Sequence, residues 1–165
     1  MNKNKGFSLL ELMIAVAILG IITSIAYPSY LKQVQKSKRV PAKVELMRIA
    51  QLQESFYVQN LSYAKTLNNT AASGGLGFPN ATITTEGGDY TVSLISTKAD
   101  GTACTGTSAT PCVIYSIFAV PVAGKPQAND SECTGFRLTN TGAKAAKSAT
   151  ITSYGTASVR DACWK

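Results

Sequence analysis

Residues 7–27 read FSLLELMIAVAILGIITSIAY, an apolar run that holds a single acid, Glu11. About 20 apolar residues in helical form are enough to cross a bilayer. A charged residue inside such a helix costs about 2.5–3.5 kcal/mol on insertion scales. A segment that only anchors would avoid that cost, so Glu11 requires a cation brought from elsewhere. The residues in front of the run, MNKNKG, carry Lys3 and Lys5 and end in Gly6, directly before Phe7. A cut between Gly6 and Phe7 leaves a new α-amino group one helical turn from Glu11. That amine on one copy can neutralise Glu11 on the next as the helices pack side by side.

Two simpler readings compete. A plain transmembrane anchor fits the length and leaves Glu11 unexplained. An ordinary secretory signal peptide fits the small-x-small triplet Ser24-Ile25-Ala26, gives a mature chain starting at Tyr27, and makes the Gly6–Phe7 boundary a coincidence. The ordered string of basic leader, Gly6, Phe7 and SLLELMIAVAILGIITSIAYPSY resembles the N-terminus of the type IV pilins and their relatives, which carry class III signal peptides. The resemblance implies that a prepilin peptidase removes residues 1–6 and that Phe7 is N-methylated. It implies that Glu11 serves subunit docking and that Pro28 bends the helix between its membrane and head portions. It also implies an inner-membrane assembly platform and other pilin subunits as partners. The chain would sit in the inner membrane of a Gram-negative bacterium with its head in the periplasm, and then in a surface filament.

Composition narrows the chemistry. The chain has 165 residues, four cysteines and no histidine. Without histidine there is no Ser-His-Asp triad, no Cys-His pair and no HExxH zinc site. Cys104, Cys112, Cys133 and Cys163 lack CxxC spacing, so no metal is expected. No cofactor and no enzymatic activity are implied. Four cysteines in an exported head read as two disulfides with three possible connectivities. The favoured set is Cys104–Cys112, closing a short loop rich in Thr and Gly, with Cys133–Cys163, tying back the C-terminus. Formal net charge is +7, falling to +5 without Lys3 and Lys5. Lys32, Lys36, Lys38, Arg39, Lys43 and Arg48 crowd one stretch, whereas residues 61–165 hold eight bases against six acids. This flank outnumbers the N-terminal one, so charge bias alone would place the C-terminus in the cytoplasm. The disulfides and the resemblance place it outside.

The expected organisation is a leader (1–6), a transmembrane or filament-core helix (7–28), an amphipathic helix (29–60) and a globular sheet head (61–165). Val44, Leu46, Met47, Ile49, Ala50, Leu52 and Phe56 recur at helical spacing and mark a buried face. Pro41 invites a second kink or a split. Residues 64–88, with Gly74-Gly75 and Gly87-Gly88, read as a loop. Strands are expected at 89–95, 113–120 and 135–138, with a weak fourth at 150–153. The fold class is α+β: a long N-terminal helix packed on an antiparallel sheet of three or four strands, pilin-like, with two disulfides. The helix exit near Asn60, the stretch from Pro121 to Gly135 and the ending Cys163-Trp164 resemble the PilE and ComP group of minor and DNA-uptake pilins.

The function expected is that of a structural subunit of a type IV pilus, a minor pilin, with two alternatives. One is a receptor pilin that binds extracellular double-stranded DNA during natural transformation. Its candidate residues are Lys98, Lys125, Arg137, Lys144, Lys147, Arg160 and Lys165, with Tyr154 or Trp164. Lys144 and Lys147, close together in GAKAAKS, form the nearest thing to a basic patch. The other alternative is a pseudopilin of a type II secretion system, which would share the N-terminus.

Overall fold

The computed structural model describes residues 8–165. Gly6 and Phe7 lie outside the described residues. Helix α1 runs from Leu9 to Asn60. The chain divides into two compact units, one ending at Ser37 and one spanning Lys38–Lys165.

In the first unit the helix presents apolar side chains on every side from Leu12 to Tyr27. Its large side chains from Leu9 to Ile25 are 52–76% exposed. The two hydroxyl residues among them, Thr23 and Ser24, are satisfied within the helix. Thr23 Oγ1 donates to the Leu19 carbonyl at 2.8 Å and Ser24 Oγ to Ile21 at 2.7 Å. Such back-bonding removes unpaired donors from an apolar surface. The helix is long and apolar enough to cross a membrane.

Pro28 and Pro41 both lie inside α1 without breaking it. The split that Pro41 invites therefore does not occur. A proline deletes one ladder hydrogen bond, and on both sides of Pro41 the helix is held by burial: Arg39, Ala42, Leu46, Ile49, Gln53 and Phe56 are all buried. They recur at three- and four-residue steps, the spacing of a single helix face. At the C-terminus Asn60 Nδ2 donates to the Phe56 carbonyl at 3.0 Å, and Leu61 takes a left-handed φ of 52° that ends the helix.

The buried face meets an antiparallel meander of five strands, in the order β1 (Thr82–Thr84), β2 (Tyr90–Thr97), β3 (Ile114–Pro121), β4 (Gly135–Thr139) and β5 (Lys144–Lys147). A short helix α2 (Ala157–Trp164) follows. The sheet has one strand more than the expected upper count, and two elements move. β1 lies in the segment read as loop, and β5 occupies the Lys-Ala-Ala-Lys segment, read as a basic patch and not expected as a strand. The expected strand at 150–153 is instead part of a turn, in which Ile151 N donates to Ser148 Oγ at 3.0 Å and Ser148 N to the Ile151 carbonyl at 2.9 Å.

Tyr90, Val92, Tyr115, Ile117, Phe136, Leu138 and Ala146 pack with Ala42, Leu46 and Ile49 into one core. Several polar groups inside it are paired. Gln53 is fully buried and bonds the backbone of Ala64 in both directions, at 3.0 and 2.8 Å. Gln127 Nε2 donates to the Tyr90 hydroxyl at 2.9 Å, and burial pushes that phenol up to about 12. Cys104 is bonded to Cys112 and Cys133 to Cys163. The second bridge fixes α2 beside β5, where Trp164 Nε1 donates to the Ala145 carbonyl at 3.0 Å.

Candidate functional site

Strand register decides which cations meet. β4 and β5 pair as Gly135↔Lys147, Phe136↔Ala146, Arg137↔Ala145 and Leu138↔Lys144. Side chains alternate along a strand. Phe136, Leu138 and Ala146 enter the core, so Lys144 shares their face, while Gly135, Arg137 and Lys147 share the other. The basic patch read from GAKAAKS is thereby divided. Two residues three apart on a strand point to opposite sides, whereas on a turn they could have met.

On the outer face one cluster forms. Arg137 lies 5.4 Å from the centre of the Tyr154 ring, and Lys147 Nζ lies 5.5 Å from the same ring. Phe118 packs edge-on to Tyr154 at 5.5 Å. Register carries a row across the sheet from Ser93 through Phe118 and Arg137 to Ala145. Gly135 makes room for it: a Cβ there would come within 2.7 Å of the Tyr154 hydroxyl. Burial raises the Tyr154 phenol, with Arg137 pulling against it. Arg137 Nε and Tyr154 Oη are buried and lack a hydrogen-bond partner among the described residues. Two cations around an aromatic ring make a positively charged donor surface for anions.

The remaining candidates scatter. Lys144 sits over Trp164 at 5.3 Å. Near it Lys43 Nζ donates to the Lys165 carbonyl at 3.1 Å, and burial, then Arg39 and Lys144, hold that ammonium below its ordinary value. Lys98 occupies the 98–102 turn beyond β2. Lys125 precedes the 3-10 turn Pro126–Asn129. Arg160 is paired with its neighbour Asp161 at 2.8 Å. Glu11 is exposed in the first turn of α1, and Pro28 is exposed further along it.

A sequence profile described as "Type IV minor pilin ComP, DNA uptake sequence receptor" matches residues 28–137, and one described as "Prokaryotic N-terminal methylation motif" matches residues 1–27. The chain belongs to the type IV minor pilin ComP family. Similar proteins include the type IV major pilin protein PilA of Myxococcus xanthus, 41% identical over 40% of this chain and 30% of that one. Fimbrial protein Q of Moraxella bovis is 36% identical over 58% of each chain. A fimbrial protein of Pseudomonas aeruginosa is 30% identical over 64% of this chain and 77% of its own. The first two matches thus span less than two thirds of the relatives' length.

Two features of this pilin escape sequence reading. Arg39 sits in a basic run that looks solvated, yet it is 4% exposed and bonded to Asp130, itself 1% exposed. Phe118 looks like a core residue of an apolar strand, yet register places it on the outer face beside Tyr154. The alternation of Tyr115, Ile117 and Ala119, all buried, is the signal that could have set Phe118 apart.

Proposed function

We propose that this pilin is a subunit of a type IV pilus, docked through α1, whose head holds DNA on the outer face of its sheet. The observation that carries the first part is the exposure of every large side chain from Leu9 to Ile25. Lipid covers that surface in the inner membrane, with the head in the periplasm. Other subunits cover it once the assembly platform has extracted the chain into a filament. Lipid and a bundle of helices are equally apolar, so burial alone does not favour the filament. The difference comes from packing and from Glu11. A prepilin peptidase cuts after Gly6, the methylated Phe7 amine keeps its charge, and it meets Glu11 of a neighbour. Glu11→Gln is expected to lower the protein recovered in sheared filaments at least about tenfold, with its membrane level unchanged. Normal recovery of the variant removes the docking mechanism.

The second part is favoured by the Arg137–Lys147–Tyr154 cluster. Two cations can contact phosphate oxygens while Tyr154 and Phe118 offer ring surface. Phosphate contacts release counterions, and each contributes about 0.9 to the slope of log affinity against log salt. In gel-shift titrations of duplex DNA, Arg137→Gln/Lys147→Gln should weaken binding and reduce that slope by about 1.8. Lys98→Gln and Arg160→Gln should leave both unchanged. A loss of the same size per charge removed in all three variants would mean diffuse attraction and no site.

A further inference from the structure

The basic stretch after the apolar run holds six cations, and four of them are engaged. Lys38 pairs with Asp89 at 3.1 Å, and Arg39 with Asp130 and Glu132 at 2.7 and 3.1 Å. Lys43 donates to the Lys165 carbonyl at 3.1 Å, and Arg48 pairs with Glu45 at 2.6 Å. Lys32 and Lys36 are exposed and have no hydrogen-bond or ion-pair partner among the described residues. Just before them stand Tyr27 and Tyr30, 64% and 66% exposed.

The order along the helix has a physical meaning. At 1.5 Å per residue, residues 9–26 cover about 27 Å, close to the thickness of a bilayer's hydrocarbon core. Tyr27 and Tyr30 then fall at the boundary, where tyrosine rings keep an apolar body in the acyl region and a wet hydroxyl. Lys32 lies about 7–8 Å beyond Tyr27, at the depth of the headgroup phosphates. Lys36 is one turn further, and its long stem can reach back to the same layer.

We propose that Lys32 and Lys36 form a headgroup site for anionic phospholipid on the side of the membrane that carries the head. This rests on the reading that residues 9–26 span the bilayer before assembly. It also accounts for cations on the flank that charge bias would keep in the cytoplasm. They oppose export but hold the exported subunit at a fixed depth, with the apolar run matched to the hydrocarbon. The two lysines stand four residues apart and therefore on one helix face. A single lipid phosphate, or two neighbouring ones, can meet them both. Paired with protein carboxylates, as Lys38 is with Asp89, they would have no charge left for lipid.

The test uses the full chain in bilayer discs of mixed phosphatidylcholine and phosphatidylglycerol, released and weighed by native mass spectrometry. Wild type should retain phosphatidylglycerol in excess of its share in the disc. Lys32→Gln/Lys36→Gln should reduce that excess about tenfold, given the attraction each lysine near an anionic surface supplies. Lys98→Gln, a head variant, should not change it. Flotation with vesicles after an alkaline wash is measured in parallel. Protein that washes off overturns the spanning reading and the lipid site with it. Protein that stays, with equal lipid excess in wild type and K32Q/K36Q, overturns the lipid site alone.

Discussion

Replacing Asp130 with alanine is expected to destabilise the head by about 3–5 kcal/mol, the effect of leaving one member of a buried ion pair alone. Arg39 Nε and Nη2 donate to the two Asp130 oxygens at 2.7 Å each, and Nη2 also reaches Glu132 at 3.1 Å. Burial works against the guanidinium charge, but these bonds outweigh it and hold Arg39 above its ordinary value. Asp130 is satisfied from its other sides by Gln127 Nε2 at 2.9 Å and by the backbone N–H groups of Glu132 and Cys133 at 3.2 Å. Removing the carboxylate leaves a cation with 4% exposure held by Glu132 alone and frees three donors at once. The check is denaturant unfolding of detergent-solubilised full-length protein, followed by Trp164 fluorescence. Arg39→Met/Asp130→Leu should recover the part of the loss that comes from the unpaired charge, because an apolar pair of similar volume needs no counter-ion, while the three freed donors stay unpaired. A loss below about 1 kcal/mol for the alanine variant is the size of an exposed pair. It would mean that water reaches the site.

The second large effect concerns Cys133–Cys163. Bridge residues 30 apart in sequence remove more unfolded-chain entropy than residues 8 apart. The chain-entropy relation gives about 3.5 kcal/mol for the long loop and about 2.5 kcal/mol for the short one. Changing Cys133 and Cys163 together to serine should therefore cost more than the same change at Cys104 and Cys112. It should also release α2, since the bridge holds that helix against β5. The Trp164 indole would lose its place at the Ala145 carbonyl, and its emission should shift to the red in the folded variant. An unshifted spectrum would show that α2 docks by its apolar contacts alone.

Much of this was legible in one dimension because the strongest signals are local. The run from Phe7 to Tyr27 and the helical spacing of Leu46, Ile49 and Phe56 mark α1 without tertiary information. β2, β3 and β4 are rich in β-branched and aromatic residues. β5 is Lys-Ala-Ala-Lys, poor in strand formers, and it is a strand because it pairs with β4 and buries Ala146 against the core. β1 is three residues long and borrows its order from β2. α2 is short, and its docking depends on a bridge between residues far apart in sequence. The site fared similarly. Arg137, Lys147 and Tyr154 each stand out as residue types, but only register brings them together and sends Lys144 away. Arg39 is separated from Asp130 by 91 positions, and no charge run reveals such a partner.

The docking role proposed for Glu11 depends on a free, charged terminus one turn away from it. The most direct measurement is the mass of the N-terminal peptide of this protein, released from sheared surface filaments. A peptide that starts at Phe7 and carries one added methyl group is the expected result. A peptide that still begins at Met1, or one that begins at Tyr27, would contradict it.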